Sequence, residues 1–167
     1  MQNGIKRGAA KTDKRHSRKP RILFVSSSGG HWEQLQKLKA IGDKYNSVYI
    51  TEKTHIDAPL ADYFMLQTDL KDKLMPLKML WNAVYSLIIW IGRRPDFIIT
   101  TGTMVAYPFY LLAVLFKKKF VFIETFGRAN MATVAGKKME KHADLFIVQW
   151  ESQMKFYEKA VYVGCLY

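Results

Sequence analysis

At 167 residues the chain has the length of one domain, enough to bury a core and too short for two full lobes. Hydrophobic residues make up 49% and charged residues 24%, with five prolines, which excludes a disordered chain. A single cysteine, Cys165, excludes an internal disulfide or a cysteine zinc cluster and points to a reducing cytosol. The formal charge of +12 is unevenly spread: eight of the 26 Lys and Arg but only one of the 14 acids fall in Met1–Arg21, so that segment alone carries +7. Residues 1–20 therefore read as a flexible basic tail without the apolar run of a signal peptide, and residues 21–167 as one domain. With the charge in the tail and the aromatics at core-like positions, nucleic acid is an unlikely partner.

From Arg21 the chain alternates. "RILFV" is a short apolar, β-branched run, "HWEQLQKLKAI" places Leu35, Leu38 and Ile41 on one helical stripe, and "SVYIT" is again a strand. After a polar, poorly patterned stretch from Glu52 to Lys73, the helical segment "MPLKMLWNAVYSLIIWIG" leads into "DFIITTG", "AYPFYLLAVLF" and "FVFIE". A helix around "ATVAGKKMEKHA", the strand "LFIVQW", a short amphipathic piece and a last "AVYVG" complete the series. Strands alternating with helices predict an α/β fold, a Rossmann-like, doubly wound parallel sheet.

Ligands of such sheets sit beyond the carboxyl ends of the strands, so the loops that follow strands are where chemistry is expected. Three are loaded. "SSSGGH" carries Ser28, Gly29, Gly30 and His31 into a helix start, where glycines let a ligand approach the backbone and free N–H groups favour anions. "TTGTM" holds Gly102 and Thr103, and "IETFGRAN" holds Glu124 and Arg128. Taken singly, a Gly-Gly after a strand is a tight turn, a histidine at a helix start a surface residue and a glutamate after a strand a structural carboxylate. Their common sheet edge is what joins them. A G-x-G-x-x-G dinucleotide turn and a P-loop lysine are both missing, as are H-E-x-x-H and D-x-D metal spacings, so no cofactor and no metal is expected.

Four segments in order, "SSGGHWEQL", "PDFIITTGTMVAYP", "FIETFGRANMATVAGKKMEKHADLFIVQW" and "AVYVGCLY", resemble the oligosaccharide-biosynthesis family that contains the membrane-anchoring subunit of the dolichyl-linked N-acetylglucosaminyltransferase. Its bacterial members are enhancer subunits of capsular and exopolysaccharide glycosyltransferases. The resemblance covers residues 21 to 167. It implies the N-terminal, acceptor-side half of a GT-B glycosyltransferase, with a separate donor-binding chain as partner and a lipid-linked saccharide as acceptor. It assigns Ser28, Gly29, Gly30 and His31 to an acceptor-diphosphate or catalytic loop, Gly102 and Thr103 to a second glycine turn and Glu124 to the acceptor side of the cleft; His31 and Glu124 are thus the expected catalytic residues, and Arg128 of the third loop joins the glycine turns in the expected acceptor- and phosphate-binding set. Imidazole, which titrates near neutrality when unperturbed, suits a general base for the accepting hydroxyl. The implied function is an acceptor-binding subunit of a two-chain enzyme in polysaccharide biosynthesis, inactive or nearly so by itself. The alternative is a non-catalytic membrane anchor or activator.

The uncharged run "MLWNAVYSLIIWIG", Met79 to Gly92, is 14 residues long against the ~20 of a spanning helix. Wound as a helix, it puts Leu80, Val84, Leu87 and Ile91 on a stripe suited to the sheet, and Trp81, Tyr85 and Ile88 on a second apolar stripe. Burial under other helices is one expectation. The other is contact with an anionic membrane through Trp81, Tyr85 and Ile88, flanked by Arg93 and Arg94, with the protein cytoplasmic and peripheral on the inner face of the plasma membrane. The partner chain is expected on exposed apolar surface near Phe156–Tyr167.

Overall fold

A computed structural model describes residues 18–69 and 72–167, so residues 1–17 of the expected tail lie outside the described residues. The elements follow in the order β1 (Arg21–Ser26), α1 (Gly30–Gln36), α2 (Lys39–Gly42), β2 (Asn46–Glu52), β3 (Tyr63–Met65), α3 (Met75–Arg93) and β4 (Phe97–Gly102). Then come α4 (Tyr107–Leu115), β5 (Lys119–Ile123), α5 (Val134–Glu140), β6 (Leu145–Val148) and β7 (Ala160–Tyr162). The strands form one sheet in the order β3-β2-β1-β4-β5-β6-β7, with every neighbouring pair parallel. The α/β, Rossmann-like reading holds. β3 went unread within the polar stretch because three residues are too few to show a period.

The single helix expected over residues 31–41 is two. Its last turn tightens, with Lys37 and Leu38 N–H donating to the Gln34 and Leu35 carbonyls at 3.2 and 3.0 Å, before the chain restarts as α2. Leu35 and Leu38 stay buried, whereas Ile41 is turned out to solvent.

The two faces of the sheet are unequal. Leu23, Val25, Ile98, Phe120, Phe122 and Phe146 are fully buried on the side that carries α3, α4 and α5. On the other side, Trp32 and Leu35 of α1 and Leu38 cover Ile22, Phe24 and Tyr49. Over β4 to β6, Phe97, Ile99, Val121 and Ile147 are only half-buried and border an open apolar groove of about 350 Å³. Parallel sheets are covered on both faces as a rule, and this strip is bare among the described residues.

α3 is turned the other way from the sequence expectation. Leu80, Val84, Leu87 and Ile91 are exposed, as are Trp81 and Ile88 at 60% each, while Asn82 and Ser86 are fully buried beside Ile89 and Trp90. The reason lies in the segment after β3, which has no strand neighbour. Asn82 replaces one, accepting from Leu66 N–H at 3.0 Å and donating to the Leu66 carbonyl at 2.9 Å. Tyr85 is half-buried against Tyr63, and the Arg93 guanidinium donates to the Tyr63 hydroxyl at 2.9 and 2.6 Å. Arg93 is thereby drawn onto the sheet edge, and Arg94, the left-handed C-cap, stays exposed. Among the described residues, no helix is long and apolar enough to cross a membrane.

At the opposite end of the strands, three aspartates that each precede a strand lace it to its neighbour. Asp62 accepts from Tyr49 N–H at 2.8 Å, Asp96 from Arg21 N–H at 3.1 Å and Asp144 from Phe120 N–H at 2.9 Å. Each satisfies a backbone donor at the sheet's ragged amino edge.

Candidate functional site

The strand order reverses at β1, whose neighbours are β2 and β4, so the crevice of the doubly wound sheet opens between the loops after β1 and β4. Ser27 N–H donates to the Gly102 carbonyl at 3.1 Å and ties the two loops together. Gly29 has φ +73° and Gly30 begins α1. Gly102, at φ +97°, takes a backbone conformation that side chains disfavour, and the imidazole of His31 lies 3.6 Å from where its Cβ would stand. Thr103 follows it across a cis peptide and leads into a 3-10 turn, Met104–Ala106.

His31 is held from both ends by one residue. Its Nδ1 lies 2.7 Å from the Thr101 carbonyl, and the Thr101 hydroxyl donates to the His31 carbonyl at 2.8 Å. A carbonyl only accepts, so Nδ1 carries the proton and the neutral ring keeps its lone pair on Nε2. That is the tautomer a general base requires.

His31, Gly30 and Gln34 face Thr125, Phe126, Gly127 and Tyr167 across an open cleft of about 350 Å³. The first and third loaded loops thus meet. Glu124 does not reach the cleft. It is 1% exposed, its Oε1 accepts from Thr125 N–H at 2.7 Å, and its Oε2 accepts from the Thr133 hydroxyl at 2.8 Å and from the Tyr157 hydroxyl. Burial, together with the hydrogen bond and charge of Glu124, pushes the Tyr157 phenol far up, so it stays a donor. Gly136 admits this packing, since a Cβ there would collide with the Glu124 carboxylate and the Tyr157 and Thr133 hydroxyls. The acceptor contact expected of Glu124 therefore gives way to a scaffold role, because the carboxylate is buried and both its oxygens are engaged by interior donors. Arg128 is also outside the cleft; it is exposed and its guanidinium rests 3.2 Å from Met131 Sδ.

The loop after β5 is moulded by residues that sequence reading missed. Gln149 Nε2 donates to the Glu124 carbonyl at 2.8 Å and to Gln34 Oε1, and Gln34 Oε1 also accepts from Phe126 N–H at 3.2 Å. Gln153 Nε2 donates to the carbonyls of Thr125 and Arg128 at 3.2 and 3.0 Å, Trp150 Nε1 to that of Phe126 at 2.7 Å, and Ser152 to that of Ala129 at 2.7 Å. The signal was "QWESQ", five largely polar residues directly after an apolar strand.

The profile described as "Oligosaccharide biosynthesis protein Alg14 like" matches residues 73–166. The chain belongs to the Alg14-like family. A fission-yeast relative, the UDP-N-acetylglucosamine transferase subunit alg14 of Schizosaccharomyces pombe, is 27% identical over 96% of this chain and 90% of its own length. The human protein of the same description is 32% identical over 86% of this chain and 81% of its own. Among solved structures, Acinetobacter baumannii MurG superposes with a TM-score of 0.68 at 14% identity, covering 86% of this chain and 46% of MurG. A UDP-N-acetylglucosamine 2-epimerase superposes at 0.69, with 12% identity, covering 89% of this chain and 49% of the other. The Alg14-like chain thus shares its fold with about half the length of each of these two structures.

Proposed function

We propose that this Alg14-like chain is the acceptor-binding, membrane-associating subunit of a two-chain glycosyltransferase that moves a sugar from a nucleotide sugar to a diphospholipid-linked saccharide in capsular or exopolysaccharide assembly. The observation that carries the reading is His31, locked by Thr101 in the Nδ1–H tautomer with Nε2 available at the mouth of a cleft. In this mechanism Nε2 accepts the proton of the attacking hydroxyl, and Ser28, Gly29 and Gly30 with Gly102 and Thr103 line the acceptor's diphosphate. Glu124 acts behind the cleft as a positioning residue for the loop opposite His31.

Relatives described as subunits of a transferase support a separate donor-binding chain. The bare strip over β4 to β6 and the exposed Val161, Tyr162 and Val163 supply apolar surface for it. The outward stripes of α3, with Trp81, Ile88 and the exposed Arg94, support contact with an anionic membrane at the cytoplasmic face. The same stripes suit the anchor reading, in which the chain recruits its partner and takes no part in chemistry.

Sugar transfer to membrane lipid extract, assayed with this chain alone, with a co-expressed partner alone and with both, tests the reading. Transfer is expected only with both, and His31→Ala should lower it about a hundredfold while leaving complex formation intact. Full transfer by the variant would leave only the anchor function. Transfer by the single chain would remove the two-chain mechanism.

A further inference from the structure

Gln34 stands one turn after His31 on α1, on the same face of the helix, and is 4% exposed. Its amide is fixed in orientation. Phe126 N–H is only a donor, so the atom facing it is Oε1, and that oxygen also takes the Gln149 Nε2 donor. Nε2 must then point the other way. It has no hydrogen-bond partner among the described residues, yet the buried side-chain atoms left unpartnered are confined to Ser26, Trp32, Tyr49 and Thr51. The Gln34 Nε2 amide therefore opens onto the cleft that Gln34 lines with His31.

A buried amide held by two donors to its oxygen, with its own N–H pair presented to a cleft, is a built recognition group. We propose that Gln34 binds the saccharide of the acceptor, donating from Nε2 to a ring-substituent oxygen beside the hydroxyl that His31 deprotonates. Among the described residues the lining of the cleft contains no lysine or arginine, although Lys37 Nζ lies 5.5 Å from the ring centroid of Tyr167, and Phe126 and Tyr167 give the cleft aromatic surface. An uncharged donor in a cleft lined by aromatic side chains suits the hydroxyl and amide oxygens of a sugar better than a phosphate. Gln149 is the positioning residue of this contact: together with Phe126 N–H it holds Gln34 Oε1 and so turns Nε2 away toward the cleft. The inference rests on the acceptor-subunit reading and adds the group that holds the sugar ring.

Gln34→Glu is the discriminating variant. One carboxylate oxygen can still accept from Phe126 N–H and Gln149 Nε2, while the donor pair facing the cleft is replaced by an acceptor. In the reconstituted two-chain enzyme, acceptors made of glucose, galactose or N-acetylglucosamine on a short isoprenyl diphosphate are the probes. The acceptor KM should rise about tenfold, the loss of one hydrogen bond, with the nucleotide-sugar KM and partner affinity unchanged. An unchanged acceptor KM in an active Gln34→Glu complex overturns the proposal.

A second measurement is independent of turnover. The ¹⁵N-labelled full chain, titrated with the 1-phosphates of the three sugars, should show a shift of the Gln34 side-chain amide pair, identified by its absence from Gln34→Glu. If no partner yields transfer even with the wild-type chain, the enzymatic reading fails, and the titration decides the sugar contact by itself. An amide pair unmoved by all three sugars overturns it.

Discussion

A buried carboxylate that already accepts from a backbone N–H and two hydroxyls is out of a substrate's reach and is a good keystone. For Glu124, removal strands the Thr125 N–H and the Thr133 and Tyr157 hydroxyls in the interior. Glu124→Ala should therefore destabilise the fold by about 2–4 kcal/mol, read from urea unfolding, since each buried group left unpaired costs ~1–3 kcal/mol and some will find water. His31→Ala, by contrast, removes a half-exposed ring and should leave the urea midpoint nearly unchanged. If the two variants were equally stable, Glu124 would not be the keystone. His31 and Gly30 were legible in the sequence because strand, glycine turn and helix start fix their place at the sheet edge. The direction of Glu124 was not, because it is set by Thr133 and by Tyr157, 33 residues away. Gln34 was illegible for a related reason: its partner Gln149 is 115 residues distant.

At the scale of an element, α3 carries the sharpest difference between pattern and structure. Its apolar residues are so many that periodicity identifies two stripes without saying whether either faces inward; both are largely exposed, and the buried polar pair Asn82 and Ser86 marks the inward face. A polar residue goes inside when it meets backbone groups that nothing else can satisfy, and here those belong to Leu66 after the short β3. Two substitutions on one helix should consequently behave in opposite ways. Asn82→Leu, which adds hydrophobicity to a buried position, should cost about 2 kcal/mol because the Leu66 N–H and carbonyl lose their partner. The double variant Trp81→Ser with Ile88→Ser should leave urea stability within ~0.5 kcal/mol, as exposed substitutions do. That double variant should nonetheless float far less with vesicles of phosphatidylglycerol and phosphatidylcholine. Equal flotation of the folded variant and wild type would take α3 out of the membrane contact. The sheet itself was read well from sequence, because strands such as "ILFV" and "FVFI" are continuous apolar runs punctuated by turns.

For the whole molecule, the aspartates that lace the amino edge couple the sheet to acid. At Asp96, partial burial raises the carboxyl, but the hydrogen bonds from Arg21 N–H and guanidinium and the charges of Arg21 and Arg18 outweigh it, so the group titrates below the usual carboxylate range. At Asp144, burial is likewise overcome by Lys119 and by the N–H of Phe120. A carboxyl whose pKa is lower in the folded chain than in the unfolded one adds stability that is fully present above the unfolded pKa, near ~4, and is lost as pH falls through the folded pKa. Both groups have the same sign, so their losses occur over the same acid range. The urea midpoint should thus hold steady from about pH 7 to pH 5 and fall below about pH 4. The pair Asp96→Asn with Asp144→Asn removes the charge while keeping the shape. It should be less stable than wild type at neutral pH, and the difference should shrink as pH falls below the usual carboxylate range and the wild-type aspartates take up protons. A stability gap of equal size at both pH values would assign the two aspartates a role in shape alone and place the acid sensitivity of the sheet elsewhere.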